Sequence, residues 1–126
     1  MTGDLLVTRE LALPGGASLV VGVQYAPGLS PMVVLAVYRD GRPVRSLMVH
    51  SDALDALARV LAAHRAGVAH VEEVPGPTAT LRIESREGEI VLSRHRDGMQ
   101  LGAARSIRDD EAPSVAEALQ IAREGA

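Results

Sequence analysis

One short pattern occurs twice in the chain. Asp-Gly is followed by Arg-Ser and an aliphatic residue, and then by a stretch with apolar residues at helical spacing. The first copy runs through Asp40-Gly41, Arg45-Ser46-Leu47, Leu54, Leu57 and Leu61; the second runs through Asp97-Gly98, Arg105-Ser106-Ile107, Val115, Leu119 and Ala122. Asp-Gly between two apolar runs is a strong hairpin signal, because a type I′ turn needs positive φ at both central residues. The recurrence restricts the chain to an α+β fold: antiparallel strands in two tandem hairpin-plus-helix units, ordered ββββα and then βββα. With 126 residues and 47% hydrophobic content, a single domain of two half-units sharing a core is expected. The half-units span 1–67 and 78–126, with 68–77 as linker.

The strands follow from period-two alternation. Leu5 to Leu13 shows it, broken at Arg9, and Leu19, Val21, Val23 and Tyr25 form one apolar face. A turn at Ala26-Pro27-Gly28 and a loop to Pro31 follow. Met32 to Tyr38 is continuously apolar, which predicts a central strand covered on both faces. The return strand, Pro43 to His50, sets Val44, Ser46, Met48 and His50 against Arg45, Leu47 and Val49; Pro43 marks an edge or a strand entry. In the second half, Thr80 to Ser85 and Ile90 to Arg96 flank Glu87-Gly88, and Met99, Leu101, Ala103 and Ile107 mark one further strand. A short strand at Val68 to Val74 would make the halves equal.

Ser51 or Asp52 is expected to cap the first helix and Gly67 to stop it. Its alanines at 53, 56, 58, 62 and 63 allow close approach and favour a homodimer. Asp109, Asp110 and Glu111 precede the last helix, where its dipole favours negative charge. Ser114 with Glu117 reads as a capping box, and Gly125 as the stop.

Composition removes several chemistries. There is no Cys, so thiolate metal sites and cysteine nucleophiles are excluded. All thirteen basic residues are Arg, which removes a P-loop lysine and a Schiff-base lysine. His64, His70, Glu72 and Glu73 are ligand types without compact spacing, and His50 and His95 lack a Ser or Asp at motif spacing. Gly15-Gly16 is a turn and not a dinucleotide fingerprint. No catalytic role, metal or cofactor is expected. MTGDLLVTRE has no basic segment followed by a long apolar one, and no apolar run approaches a membrane span, so a cytoplasmic protein is expected.

The arginines are the organised feature. Arg39, Arg42 and Arg45 flank the first Asp-Gly turn, Arg94 and Arg96 precede the second, and Arg82, Arg86, Arg105 and Arg108 lie on neighbouring strands. Hairpins projecting on one side of a sheet would let these track a phosphate backbone. Asp40, Glu84, Glu87, Glu89 and Asp97 offset the same field locally, and the net charge is −3.

The stretch VVLAVYRDGRPVRSLMVHSDALDALARVL resembles the core unit of the transcriptional coactivator positive cofactor four. Its apparent duplication is similar to the Whirly proteins, which repeat a four-strand-plus-helix unit. The resemblance implies single-stranded nucleic-acid binding on sheet surfaces and homo-oligomers built through helices. It points to Tyr38, Arg39, Arg42 and Arg45, to which the arginine pattern adds Arg82, Arg94 and Arg96. The expected function is thus a non-enzymatic single-stranded DNA- or RNA-binding protein related to transcription. The alternative is a regulatory or scaffolding module that binds protein through a sheet edge or the alanine-rich helix, which the acidic balance and the presence of only two aromatic residues, Tyr25 and Tyr38, favour.

Overall fold

The computed structural model describes residues 4–25, 28 and 31–124. It is α+β: β1 (Asp4–Ala12), β2 (Ala17–Tyr25), β3 (Met32–Arg39), β4 (Arg42–His50), α1 (Ser51–Arg65), β5 (Val71–Pro75), β6 (Thr80–Arg86), β7 (Glu89–Arg96), β8 (Met99–Gln100), β9 (Arg105–Arg108) and α2 (Ala112–Glu124). The strands make two antiparallel sheets, β1-β2-β3-β4 and β5-β6-β7-β8, with β9 also on β7. Both Asp-Gly turns have positive φ at both residues: 53° and 74° at Asp40-Gly41, 53° and 78° at Asp97-Gly98. Of the turn and loop expected from Ala26 to Pro31, Gly28, at φ 74°, and Pro31 are described; the rest of it, the stop at Gly125 and the side chain of Ser51 lie outside the described residues.

The short strand expected within the linker at Val68 to Val74 is present as β5, and the strand expected from Met99 to Ile107 comes in two pieces along β7. Gly102, at φ 73°, breaks it, while the Leu101 amide still donates to the Arg94 carbonyl at 2.7 Å. Each sheet is therefore in effect a four-strand meander.

The compact units do not follow the repeat. One takes its residues from Met1–Leu54 and Ser114–Ala126, the other from Asp55–Pro113. The β1–β4 sheet thus groups with α2, and the β5–β9 sheet groups with α1 beyond its first turn.

In the first unit the register places Val23, Val33 and Val49 in one cross-strand row and Val21, Leu35 and Leu47 in the next. Leu19, Val21, Val23, Val33 and Val49 are at most 1% exposed. On α2, Val115, Ala118, Leu119 and Ala122 are buried at i, i+3, i+4 and i+7 spacing, one face of a helix. Arg9 Nη1 donates to Glu117 Oε2 at 2.9 Å and ties α2 to β1. The alternation on β1 breaks because the register shifts between Val7 and Arg9. Such a bulge reverses which residues face the core, and the Thr8 hydroxyl there donates to the Val21 carbonyl at 2.9 Å.

Two sequence expectations do not hold in the first unit. β3 is covered on one face, not two: Val33 and Leu35 are buried on the core face, whereas on the other face Met32, Val34 and Tyr38 are half-buried and the small Ala36 is 8% exposed. Ser114 does not cap α2, because the helix begins at Ala112 with Pro113 in its first turn, where a missing N–H costs nothing. Glu117 bonds Arg9 instead of reaching back to the helix start.

In the second unit Ile83 pairs Leu92 and Ile90 pairs Ile107 on one face. Those four and Leu57, Val60 and Leu61 of α1 are at most 3% exposed. Gly67, at φ 76°, closes α1, with Val68 N–H on the Ala63 carbonyl at 2.8 Å and Gly67 N–H on the His64 carbonyl at 3.0 Å. This is a Schellman closure that needs a left-handed residue. Among the described residues no helix is long and apolar enough to cross a membrane.

Candidate functional site

The seven residues singled out in the sequence divide between two sheets and between both faces of each. Arg45 pairs Val37, on the core side of β3–β4, while Tyr38 pairs Ser18 and Pro43 on the opposite side. Arg39 and Arg42 face each other across the hairpin, and Arg39 Nη1 donates to the Gly15 carbonyl at 3.3 Å. In the second sheet Arg82 pairs Glu73 and Ser93 on the face opposite Ile83. Its Nε lies 3.8 Å from Glu84, which also binds Arg86 at 3.0 Å.

Arg94 and Arg96 alternate with residues of the other face, so they share the side of Ile90 and Leu92. Arg105, opposite Leu92, joins them there. Among the described residues no ion pair engages these three arginines, and all three are exposed.

The two outer faces differ in kind. On the β1–β4 sheet the rows are Leu5-Gln24-Met32-His50, Val7-Gly22-Val34-Met48, Glu10-Val20-Ala36-Ser46 and Ala12-Ser18-Tyr38-Pro43. These rows hold one carboxylate, and Leu5, Val7 and Met48 are 48%, 50% and 55% exposed. Gly22 is required in the second row. A Cβ there would lie 2.6 Å from the Leu6 carbonyl oxygen, so only glycine lets β1 approach this closely. On the β5–β9 sheet the outer face is instead charge-balanced, with Arg82, Arg86 and Arg108 among Glu73, Glu84 and Glu89.

Two polar clusters hold α1 to its sheet. Arg59 grips Glu72 through Nε and Nη2, both at 2.6 Å, and a His70 ring nitrogen lies 2.9 Å from the same carboxylate. The Arg59 hydrogen bonds, then the His70 contact, hold the Glu72 carboxyl down to about 2. The same pairing raises the Arg59 guanidinium above its ordinary value. His64 bridges Ser85 Oγ, 2.7 Å from Nδ1, and Asp109 Oδ1, 2.5 Å from Nε2.

Ser85, His64 and Asp109 are the residue types of a hydrolytic triad, but their burial is inverted. A nucleophile must meet substrate while its orienting acid is buried. Here Asp109 is 64% exposed and Ser85 lies on the helix-covered side of β6, so the arrangement is a staple between helix, sheet and turn. Its members are 21 and 45 residues apart, and no local spacing in the sequence signals them. His95 Nε2 lies 2.8 Å from Ser93 Oγ on the outer face, and His50 is exposed at the end of β4. Among the described residues no group of three or more His, Asp and Glu side chains is placed to hold a metal ion.

Comparison with known proteins finds no matching family model and no significantly similar curated sequence.

Proposed function

We propose that the chain is a regulatory or scaffolding module that binds protein through the outer face of the β1–β4 sheet. One observation carries this reading. The unbroken apolar run Met32 to Val37 has the composition of a strand buried on both sides, yet the chain covers one side and leaves Met32 and Val34 half-buried beside exposed Leu5, Val7 and Met48. A contiguous exposed apolar patch rimmed by polar groups marks an interaction site. The rim here is Glu10, Gln24, Ser46 and His50.

A benzophenone photo-crosslinker at position 48, with one at Arg86 on the charge-balanced face as control, tests the reading in cells expressing the chain. A discrete adduct from position 48 and none from position 86 is the expected result. No adduct from position 48 sinks the proposal.

A second reading, single-stranded nucleic-acid binding, is favoured by the three arginines on one face of β7 and β9. Arg94, Arg96 and Arg105 have no acidic partner among the described residues, and together they suit a phosphodiester. The opposed pair Arg39 and Arg42 at the end of the first hairpin is the second place for such contacts, because directly opposed like charges are relieved by an anion; Tyr38 and Arg45 of that hairpin lie on opposite faces and do not join one site. Oligonucleotide anisotropy at low and near-physiological salt, on the wild type and on Arg94→Ala/Arg96→Ala/Arg105→Ala, tests it. Binding that weakens with salt and in the variant is required.

A further inference from the structure

We infer that the occupant of the β1–β4 outer face is a second copy of this chain, packed sheet on sheet about a two-fold axis. The inference rests on the reading of this face as an interaction surface and names the partner.

Size is the first argument. Four strands about 4.8 Å apart and four rows about 6.8 Å apart span roughly 19 by 27 Å, on the order of 500 Å² in projection. Pleat and side-chain relief raise the accessible area toward the roughly 800 Å² per partner of a standard stable interface. Two such faces stack about 10 Å apart, as in a sandwich.

Charge is the second argument. A two-fold contact sets a face against its own image, so clustered like charges would oppose each other. The sixteen positions of this face include a single carboxylate, Glu10, and it lies on the edge strand β1 with no arginine among its row partners. The outer face of the other sheet, with three arginines and three glutamates, would bury charge in any such stack, at high desolvation cost.

Relief is the third. Gly22, Ala36 and Ser46 are low points beside Val7, Val34 and Met48, and high against low is what interdigitation of two inner faces requires.

Sedimentation velocity on the purified chain, from low micromolar to sub-millimolar concentration, tests the inference beside Met48→Arg and Val7→Arg. Both positions are half exposed, so the variants retain the fold, which circular dichroism checks. Met48→Ser serves as a milder change at the same site. The expected result is a wild-type dimer weakened by on the order of 100-fold or more in each arginine variant, since a two-fold axis buries the unpaired charge twice.

A wild type that stays monomeric throughout overturns the inference. So does a dimer that survives both substitutions, because the copies then meet elsewhere. The crosslink from position 48 separates the two levels. An adduct of mass other than twice the chain overturns the second copy and leaves the interaction surface standing, whereas no adduct removes both.

Discussion

The grouping of each sheet with the helix of the opposite half has a measurable consequence. Leu119 on α2 and Leu57 on α1 are 2% and 0% exposed. Truncation to alanine removes three carbons from each, worth about 0.8 kcal/mol apiece in transfer free energy. The residual cavity brings the loss to about 3 kcal/mol, and the melting temperature should fall by about 10 °C in a chain of this length. The two losses are similar in size and differ in place. Native-state hydrogen exchange read by mass spectrometry should show Leu119→Ala speeding exchange mainly in β2 and β3, because α2 covers that sheet. Leu57→Ala should act mainly on β6 and β7. The reverse pattern, or uniform acceleration across both sheets in both variants, would refute the grouping and the core assignments derived from it.

Gly22→Ala should destabilise by about 1–3 kcal/mol in chemical denaturation, because its Cβ meets the fixed Leu6 carbonyl rather than a movable side chain. Glu72 is held down to about 2 from an ordinary 4.5. Its contribution is therefore fully present above 4.5 and is lost as the pH falls through about 2. Glu72→Gln should flatten that part of the acid-unfolding curve and leave its shape unchanged above pH 5. Ser85→Ala leaves His64 Nδ1 without its partner and should cost about 1 kcal/mol by the same denaturation assay; no loss would show that the His64 bridge to Asp109 is sufficient. Gly41→Val places a β-branched residue at φ 74° and should cost at least about 1 kcal/mol, with register heterogeneity visible in amide spectra.

Local chemistry was legible in the sequence. The two Asp-Gly turns, the apolar odd face of β2, the edge position of Pro43 and the α+β order all depend on residues near one another in the chain. Period-two and period-3.6 patterns and left-handed turn residues act over that range. Single residues altered the period in two places: the bulge at Thr8 reversed the faces of β1, and Gly102 divided the last strand. Ser114 and Glu117 had capping-box spacing, but Pro113 and the bond from Arg9 set the helix start and the role of Glu117.

What lies across the chain had no such signature. Nothing local distinguishes a helix that covers its own sheet from one that covers its neighbour, because an apolar stripe at i, i+3, i+4 and i+7 suits either. The bonds that pair α1 with the second sheet, Arg59 to Glu72 and His64 to Ser85, join residues 13 and 21 apart. The arginines show the same limit: composition fixed their number, while strand register placed Arg82 on one face of the sheet and Arg94 and Arg96 on the other. The sequence by itself determined the elements, their turns and the apolar character of β3. Only the tertiary structure decided which helix covers which sheet, and that one side of β3 is left facing outward, because both depend on packing between residues that no short-range pattern relates.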